Sequence, residues 1–493
     1  MSATFASLKY YNYRVWFGAA LVANVGTWMQ RIAQDWLVMQ HLTDGSGAAV
    51  GIVTGLQFLP VLFLSAWAGV LADRLDRRKL LMFTQGAMGL LAAILGFLVL
   101  TDLVQLWHVY VLALLLGVVA AIDNPARQVF VAEMVPSSHL PNAVGLNSAS
   151  FNAARLVGPG IAGLLIAAVG TGWAFVLNAV SFGATIWAMS IMRKAEFNRM
   201  PRPAREKGQI RQGLKYVRTR TDIIVIMVVV GVVSTFGLNF QLTSIVMVTE
   251  IFQKDAAEYG VLGSILAIGS LTGALVAARR KQPRVRLVIG AALMFGISAG
   301  IMAVMPNMEL YGLVSIAVGF SSLTMLTAAN ATIQMSVEPQ MRGRVMALYL
   351  IVVVGATPIG APVVGWIAEE YGGRWGVGVG AIASIIVAIW AAFWTRKHWN
   401  YNVRYALRSR PLIKISYDAE PEEAQTEVSV LGASETGLSG SKGEVEDNCL
   451  SNSTPNTLVK PKVTAVGARP SAGRTHPPQS RRRKKGHKAL TPQ

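Results

Sequence analysis

The sequence predicts an all-α membrane protein of twelve transmembrane helices, arranged as two six-helix halves and followed by a polar, disordered cytoplasmic tail. Three observations predict it. Hydrophobic residues make up 53% and charged residues 14% of the 493 positions, and the charges avoid long stretches, a polytopic rather than a soluble pattern. Basic residues cluster in alternate connections, so that a single consistent topology accounts for them. A basic interruption divides the apolar spans six and six, and one stretch recurs at corresponding places in both halves.

Apolar windows of about 20 residues, the length that crosses a bilayer as a helix, give the elements in order. The N-terminal half, 1–192, holds predicted spans Tyr13–Met39, Ala49–Ala72, Leu80–Leu100, Trp107–Ala121, Ala143–Val169 and Trp173–Met192. Residues 193–222 form a basic cytoplasmic linker with Pro201 and Pro203 near its start and a helical-looking stretch, Gln209–Arg220. The C-terminal half, 223–397, holds Ile223–Val248, Gly260–Ala278, Leu287–Met305, Leu310–Ile333, Val345–Ala368 and Trp375–Trp394. Of the 28 Lys and Arg before Arg396, only Lys254 and Arg374 fall in outer loops. That bias places both termini inside a multi-pass cell-membrane protein. The run Gly163 to Gly170-Thr-Gly-Trp173 aligns without gaps to Gly365 to Gly372-Gly-Arg-Trp375, so the fifth and eleventh spans are repeat equivalents.

Several function classes are excluded. The net charge of +19 is mostly topology, not the footprint of a nucleic-acid binder. The first span follows Lys9 and Arg14 but runs far beyond a signal-peptide core and is expected to stay as helix one. The single cysteine, Cys449, lies in the tail, so disulfides and paired thiolate metal sites are not expected. No nucleotide-binding loop, metal-ligand spacing or catalytic triad stands out, so neither enzyme activity nor a cofactor is predicted.

Between the second and third spans runs Gly69-Val-Leu-Ala-Asp73-Arg74-Leu-Asp76-Arg77-Arg78-Lys79. This closely resembles the signature loop of the major facilitator superfamily, Gly-x-Leu-Ala-Asp-Arg-x-Gly-Arg-Arg/Lys, with Asp76 where that family usually has glycine. Because Asp visits left-handed backbone more readily than most residues, the turn is expected to survive. The resemblance implies the major facilitator fold, and that Asp73 and Arg74 brace a cytoplasmic gate against helix eleven when the transporter opens outward. The eighth span keeps only a degenerate copy, Gly273-Ala-Leu275-Val-Ala277, so the two gates are unequal.

The fifth span carries Gly145, Ala154, Gly158-Pro159 and Ala162-Gly163. The pattern looks like the antiporter motif of drug–proton exchangers, with alanine replacing glycine at Ala154 and Ala162. Small residues let helices approach and proline permits a bend. The fourth span ends Gly117-Val-Val-Ala-Ala-Ile-Asp123-Asn-Pro-Ala-Arg127-Gln128, which resembles the enterobactin-exporter and macrolide-efflux-like branch. The arginine that usually precedes this glycine by four residues is replaced by Ala113, so its proton-relay role does not carry over.

Candidate proton or substrate groups are Arg31, Gln34 and Asp35 on the first span, Asp123 and Arg127 on the fourth, and Asn152 and Arg155 on the fifth. The spacing of Arg31/Asp35 and of Gln30/Gln34 places each pair on one helical face. A charge facing lipid is costly, so Arg31 and Asp35 are expected to face the central cavity or another helix. A static ion pair and a coupling site are equal readings of that pair. A carboxylate whose protonation changes through the cycle is what proton coupling needs, and Asp35 and Asp123 can supply it, although Asp123 near the predicted cytoplasmic end also suits a gate or structural role. Asn239, Gln241, Asn330 and Gln334 offer neutral hydrogen bonds in the second half.

Repeated halves around a pathway suit alternating access. The sequence thus predicts a secondary active transporter, most like a proton-coupled exporter of a small amphipathic compound: a drug, a macrolide or a siderophore. A metabolite or lysolipid importer and a non-transporting sensor or scaffold are the rivals. The tail from Arg396 carries 17 basic and 9 acidic residues with few apolar ones, which predicts disorder. Its cluster Arg481, Arg482, Arg483, Lys484 and Lys485 suits anionic lipid.

Overall fold

The computed structural model describes residues 3–198, 209–278, 284–398, 401–405 and 413–417. Long apolar runs without interior charge have no aqueous way to satisfy their backbone in a bilayer, so they close every hydrogen bond within helices. In the first half these are α1 (Tyr11–Trp36), α2 (Gly47–Arg74), α3 (Arg77–Leu100), α4 (Leu106–Glu133), α5 (Leu140–Val169) and α6 (Thr171–Ser190). A short amphipathic α7 (Gln209–Thr219) realises the helical stretch expected in the linker and packs on the second half. Then follow α8 (Thr221–Phe236), α9 (Phe240–Val246), α10 (Ala256–Ala278), α11 (Val285–Ala303), α12 (Met308–Ser336), α13 (Pro339–Tyr371) and α14 (Gly373–His398).

Among the described residues, eleven segments meet the length and hydropathy of a membrane span. The twelfth long helix is α1, whose Arg14, Arg31 and Asp35 dilute its hydropathy while its buried face packs on α5 and α6. Two expectations of shape are corrected. The seventh span is not one helix: the chain leaves helical geometry between Gly237 and Asn239 and resumes as α9. The Asn239 side chain donates back to the Thr235 carbonyl at 2.7 Å, satisfying an acceptor that the break leaves open. The fourth helix runs twelve residues past the predicted Ala121 to Glu133, because Pro125 leaves the helix intact and places Asp123 and Arg127 inside it rather than at its end.

The repeat is written in the backbone. Gly170 (φ 84°) closes α5 and Gly372 (φ 95°) closes α13, both in the left-handed region where a Cβ is penalised. A π-helical turn ends the first span at Leu37–Leu42, and another ends the seventh at Met247–Ile251. The halves meet through repeat-related pairs, α2 against α13 and α5 against α10. Contacts along these seams run from mid-helix, where Gly355 meets Leu62, to the end opposite the termini, where Gly47 meets Gly365 and Gly163 meets Ala256. Large apolar side chains such as Trp67, 79% exposed, cover the outer surface, as a lipid-facing wall requires.

At the α2–α3 connection, Asp76 needs no left-handed turn. Its φ is −63°, and its side chain caps α3 by accepting from the Lys79 backbone at 3.0 Å. The expected disorder of 398–493 is interrupted by a two-stranded antiparallel pair, Tyr401–Tyr405 with Ile413–Tyr417. The rest of that tail, including Cys449 and the lipid-binding candidates Arg481 to Lys485, lies outside the described residues.

Candidate functional site

The polar residues predicted on separate spans converge in the N-terminal half. Four of them line a cavity of about 380 Å³ among the six helices of that half, and Asp35 and Arg155 stand outside its lining. Arg31, Asp123, Arg127 and Asn152 line it, together with Phe58 and Phe151. Gln34 is buried on α1 but does not line it. A second cavity of about 310 Å³ near Asp76 has a mostly apolar lining and holds few groups for chemistry.

Asp123 sits in a completed network. One carboxylate oxygen accepts from Thr84 Oγ1 at 2.7 Å and Gln85 Nε2 at 2.9 Å, and the other accepts from Arg127 Nε at 3.0 Å and Nη2 at 2.7 Å. A buried ion pair with this many partners is locked, since losing any one leaves a charge short. The network ties α4 to α3 through Thr84 and Gln85.

Arg31 is different. It forms no ion pair with Asp35 among the described residues, and its Nε is buried without a hydrogen-bond partner. The guanidinium lies 5.0 Å from the Trp28 ring centre and 5.4 Å from that of Phe58. Arg155 reaches the same indole from α5 at 5.7 Å. Phe151 meets Trp28 edge-on at 5.8 Å. Gly158 makes this approach possible, because a Cβ there would lie 2.6 Å from the Trp28 Cβ. Asn152 spends its amide on the Ser148 carbonyl of its own helix, at 2.8 Å, rather than on Arg155.

Asp35 reaches across the halves. Its carboxylate accepts from the Tyr259 hydroxyl of α10 at 3.0 Å, and that hydroxyl also lies 3.2 Å from the Gln241 carbonyl on α9. Trp36 stacks on the Tyr259 ring. Both Asp35 and Tyr259 are buried. A second tie crosses the seam nearby: Glu369 of α13 accepts from Ser46 Oγ at 2.7 Å and from the Ala48 backbone at 2.9 Å. A carboxylate is thus placed on the N-terminus of α2, where the helix dipole favours it.

The α2–α3 loop, expected to form a gate, is described in part. Arg77 pairs with Glu133 at the end of α4, and Arg78 donates to the Ser190 carbonyl at the end of α6, at 2.9 Å. The side chains of Asp73 and Arg74, and the surroundings of Gly69, lie outside the described residues. In the fifth-span motif, Pro159 and Gly163 face α10 while Gly145 has nothing within 4 Å of where its Cβ would be. Asn330 pairs with Gln334 on one helix. Sequence reasoning missed Trp28 and Tyr259. An aromatic in an apolar helix gives no local signal, and Tyr259 meets Asp35 across 224 residues of chain.

Two six-helix halves related by a repeat, with a polar cavity among membrane helices, define a membrane transporter of the major facilitator superfamily. Within that class, the chain belongs to the family described as transmembrane secretion effector, whose model matches residues 2–421. It is 23% identical over 370 residues to the staphyloferrin A transporter of Staphylococcus aureus, covering 73% of this chain and 90% of that one. The multidrug efflux pump Tap of Mycolicibacterium fortuitum is 29% identical over 366 residues, covering 72% and 88%. The enterobactin exporter EntS of Shigella boydii is 25% identical over 337 residues, covering 66% and 78%. A bacterial homologue of the lysosomal transporter Spinster, solved inward-facing and occupied, shares the fold with TM-score 0.62 at 12% identity, covering 78% and 96%.

Proposed function

We propose that this chain is a secondary active exporter of small amphipathic compounds, coupled to proton entry through Asp35. The observation that carries the reading is the Asp35–Tyr259 hydrogen bond, which joins the two halves beside a polar cavity. Alternating access needs a titratable group whose partners change as one half rocks against the other, and a carboxylate bonded across the seam is such a group. The relatives named for siderophore and drug export support outward transport of a drug-like or siderophore-like molecule. The terminus-bearing face is taken as cytoplasmic from its basic loops. The seam contacts then correspond to a carrier closed toward the outside.

The test is accumulation of fluorescent drugs and a labelled siderophore in cells producing the wild type or Asp35→Asn, with and without a protonophore. Lower accumulation with the wild type, lost with either the protonophore or the substitution, supports coupled export at Asp35. Efflux insensitive to both removes the proton mechanism, and accumulation above that of cells lacking the protein points to import.

A further inference from the structure

The charges inside the membrane helices are unevenly placed. Past their first two turns and before their last turn, the described helices of the second half carry no charged residue, whereas the first half carries Arg31, Asp123, Arg127 and Arg155 there, and Asp35 just before the π-helical turn that ends its first span. Asp123 is consumed by Arg127, Thr84 and Gln85. One carboxylate, Asp35, is left for two guanidinium groups, and it accepts its hydrogen bond from Tyr259. Arg31 and Arg155 form no ion pair among the described residues. The cavity is one negative charge short.

An arginine cannot relieve this by releasing its proton. A buried cation without a counter-charge is expensive, and ring faces offset only part of that cost. The missing partner has to come from elsewhere. Arg31 lines the cavity with its Nε unbonded, and Arg155 stands on the same indole.

We infer that this cavity is built for an organic anion, a drug-sized amphiphile bearing a carboxylate, whose acidic group is received by Arg31, with Arg155 behind the lining on the same Trp28 ring adding its charge, and whose apolar body lies against Phe58 and Phe151. A guanidinium offers a planar fork matched to a carboxylate. Flanking aromatics supply stacking area. The amides of Asn24, Gln57 and Asn147, which line the same cavity, suit the neutral polar groups of such a molecule. The inference names the substrate class of the transport site and rests on the proposed export reading.

The experiment uses the full-length protein in phosphatidylcholine nanodiscs and three dansyl probes of one skeleton type: dansylglycine (anion), dansylglycinamide (neutral) and dansylcadaverine (cation). Energy transfer from tryptophan reports binding. The expected result is that dansylglycine binds at least roughly tenfold more tightly than either other probe, the scale of a charge-assisted hydrogen bond. Arg31→Gln and Arg155→Gln each abolish that preference, while Arg31→Lys, which keeps the charge, retains part of it. Equal affinities, a preference for dansylcadaverine, or an unchanged preference in both Gln variants overturns the inference. Efflux of the same probes from cells separates the two readings. Efflux without anion preference leaves the exporter and removes the anion site; anion-selective binding without movement in either direction leaves the site and removes the exporter.

Discussion

Single residues decide how closely the helices meet. The Gly158 position admits Trp28 only because it lacks a Cβ. Gly158→Val therefore pushes Trp28 off α5 and is expected to lower stability by about 1–3 kcal/mol, read as a lower melting temperature in detergent, with loss of transport in cells. The Asp123 network has its own signature. Asp123→Ala leaves the half-buried Arg127, and the buried Thr84 and Gln85, without their carboxylate, a loss of about 1–3 kcal/mol. Asp123→Ala/Arg127→Met is expected to recover part of it in a double-mutant cycle on thermal melts. A double variant no more stable than Asp123→Ala alone makes the pair independent. At this scale the sequence was legible where chemistry is rare in its setting: charges within apolar spans announced Arg31, Asp35, Asp123, Arg127 and Arg155. It was silent on Trp28 and Tyr259, whose neighbours only the tertiary packing supplies.

Elements show where periodicity was enough and where it was not. Helix number and order, the linker helix α7 and the repeated glycine turns followed from apolar runs, a helical-looking basic stretch and aligned residues, while the length of α4 did not. The break between α8 and α9 did not either, because the run Ile223–Val248 holds no charge and its mean hydropathy stays high across Gly237 and Asn239. Asp76 was misplaced for a related reason: the family position suggested a left-handed turn, while the local chemistry of a helix start selects Asp as a cap. The seam formed by α2 and α13 carries a prediction of its own. Glu369 holds the exposed start of α2 through two hydrogen bonds, so Glu369→Ala loosens closure at that end by about 1 kcal/mol, a severalfold shift in population. Spin labels at the α1–α2 and α13–α14 junctions, in a Cys449→Ser background, check it by a growing long-distance population. An unchanged distribution removes Glu369 from the closing contacts.

For the whole molecule, the two halves share a backbone plan but not a chemistry. The membrane region folds from its own helices, and transport is expected to survive removal of residues 404–493; loss of efflux with normal surface amount makes the tail part of the machine. The division of labour between halves was legible in outline, since the signature loop degenerates in the second half. The tie between Asp35 and Tyr259 was not, because it exists only when the halves meet. Confinement of interior charge to one half has an electrical side. With Asp35 and Asp123 ionised, the five charged groups sum to one positive charge, and moving one charge through 100 mV is worth about 2.3 kcal/mol. An inside-negative voltage then holds the empty carrier toward the cytoplasm. A monovalent anionic cargo cancels that charge, so the loaded carrier turns without working against the field while the empty one returns as a current.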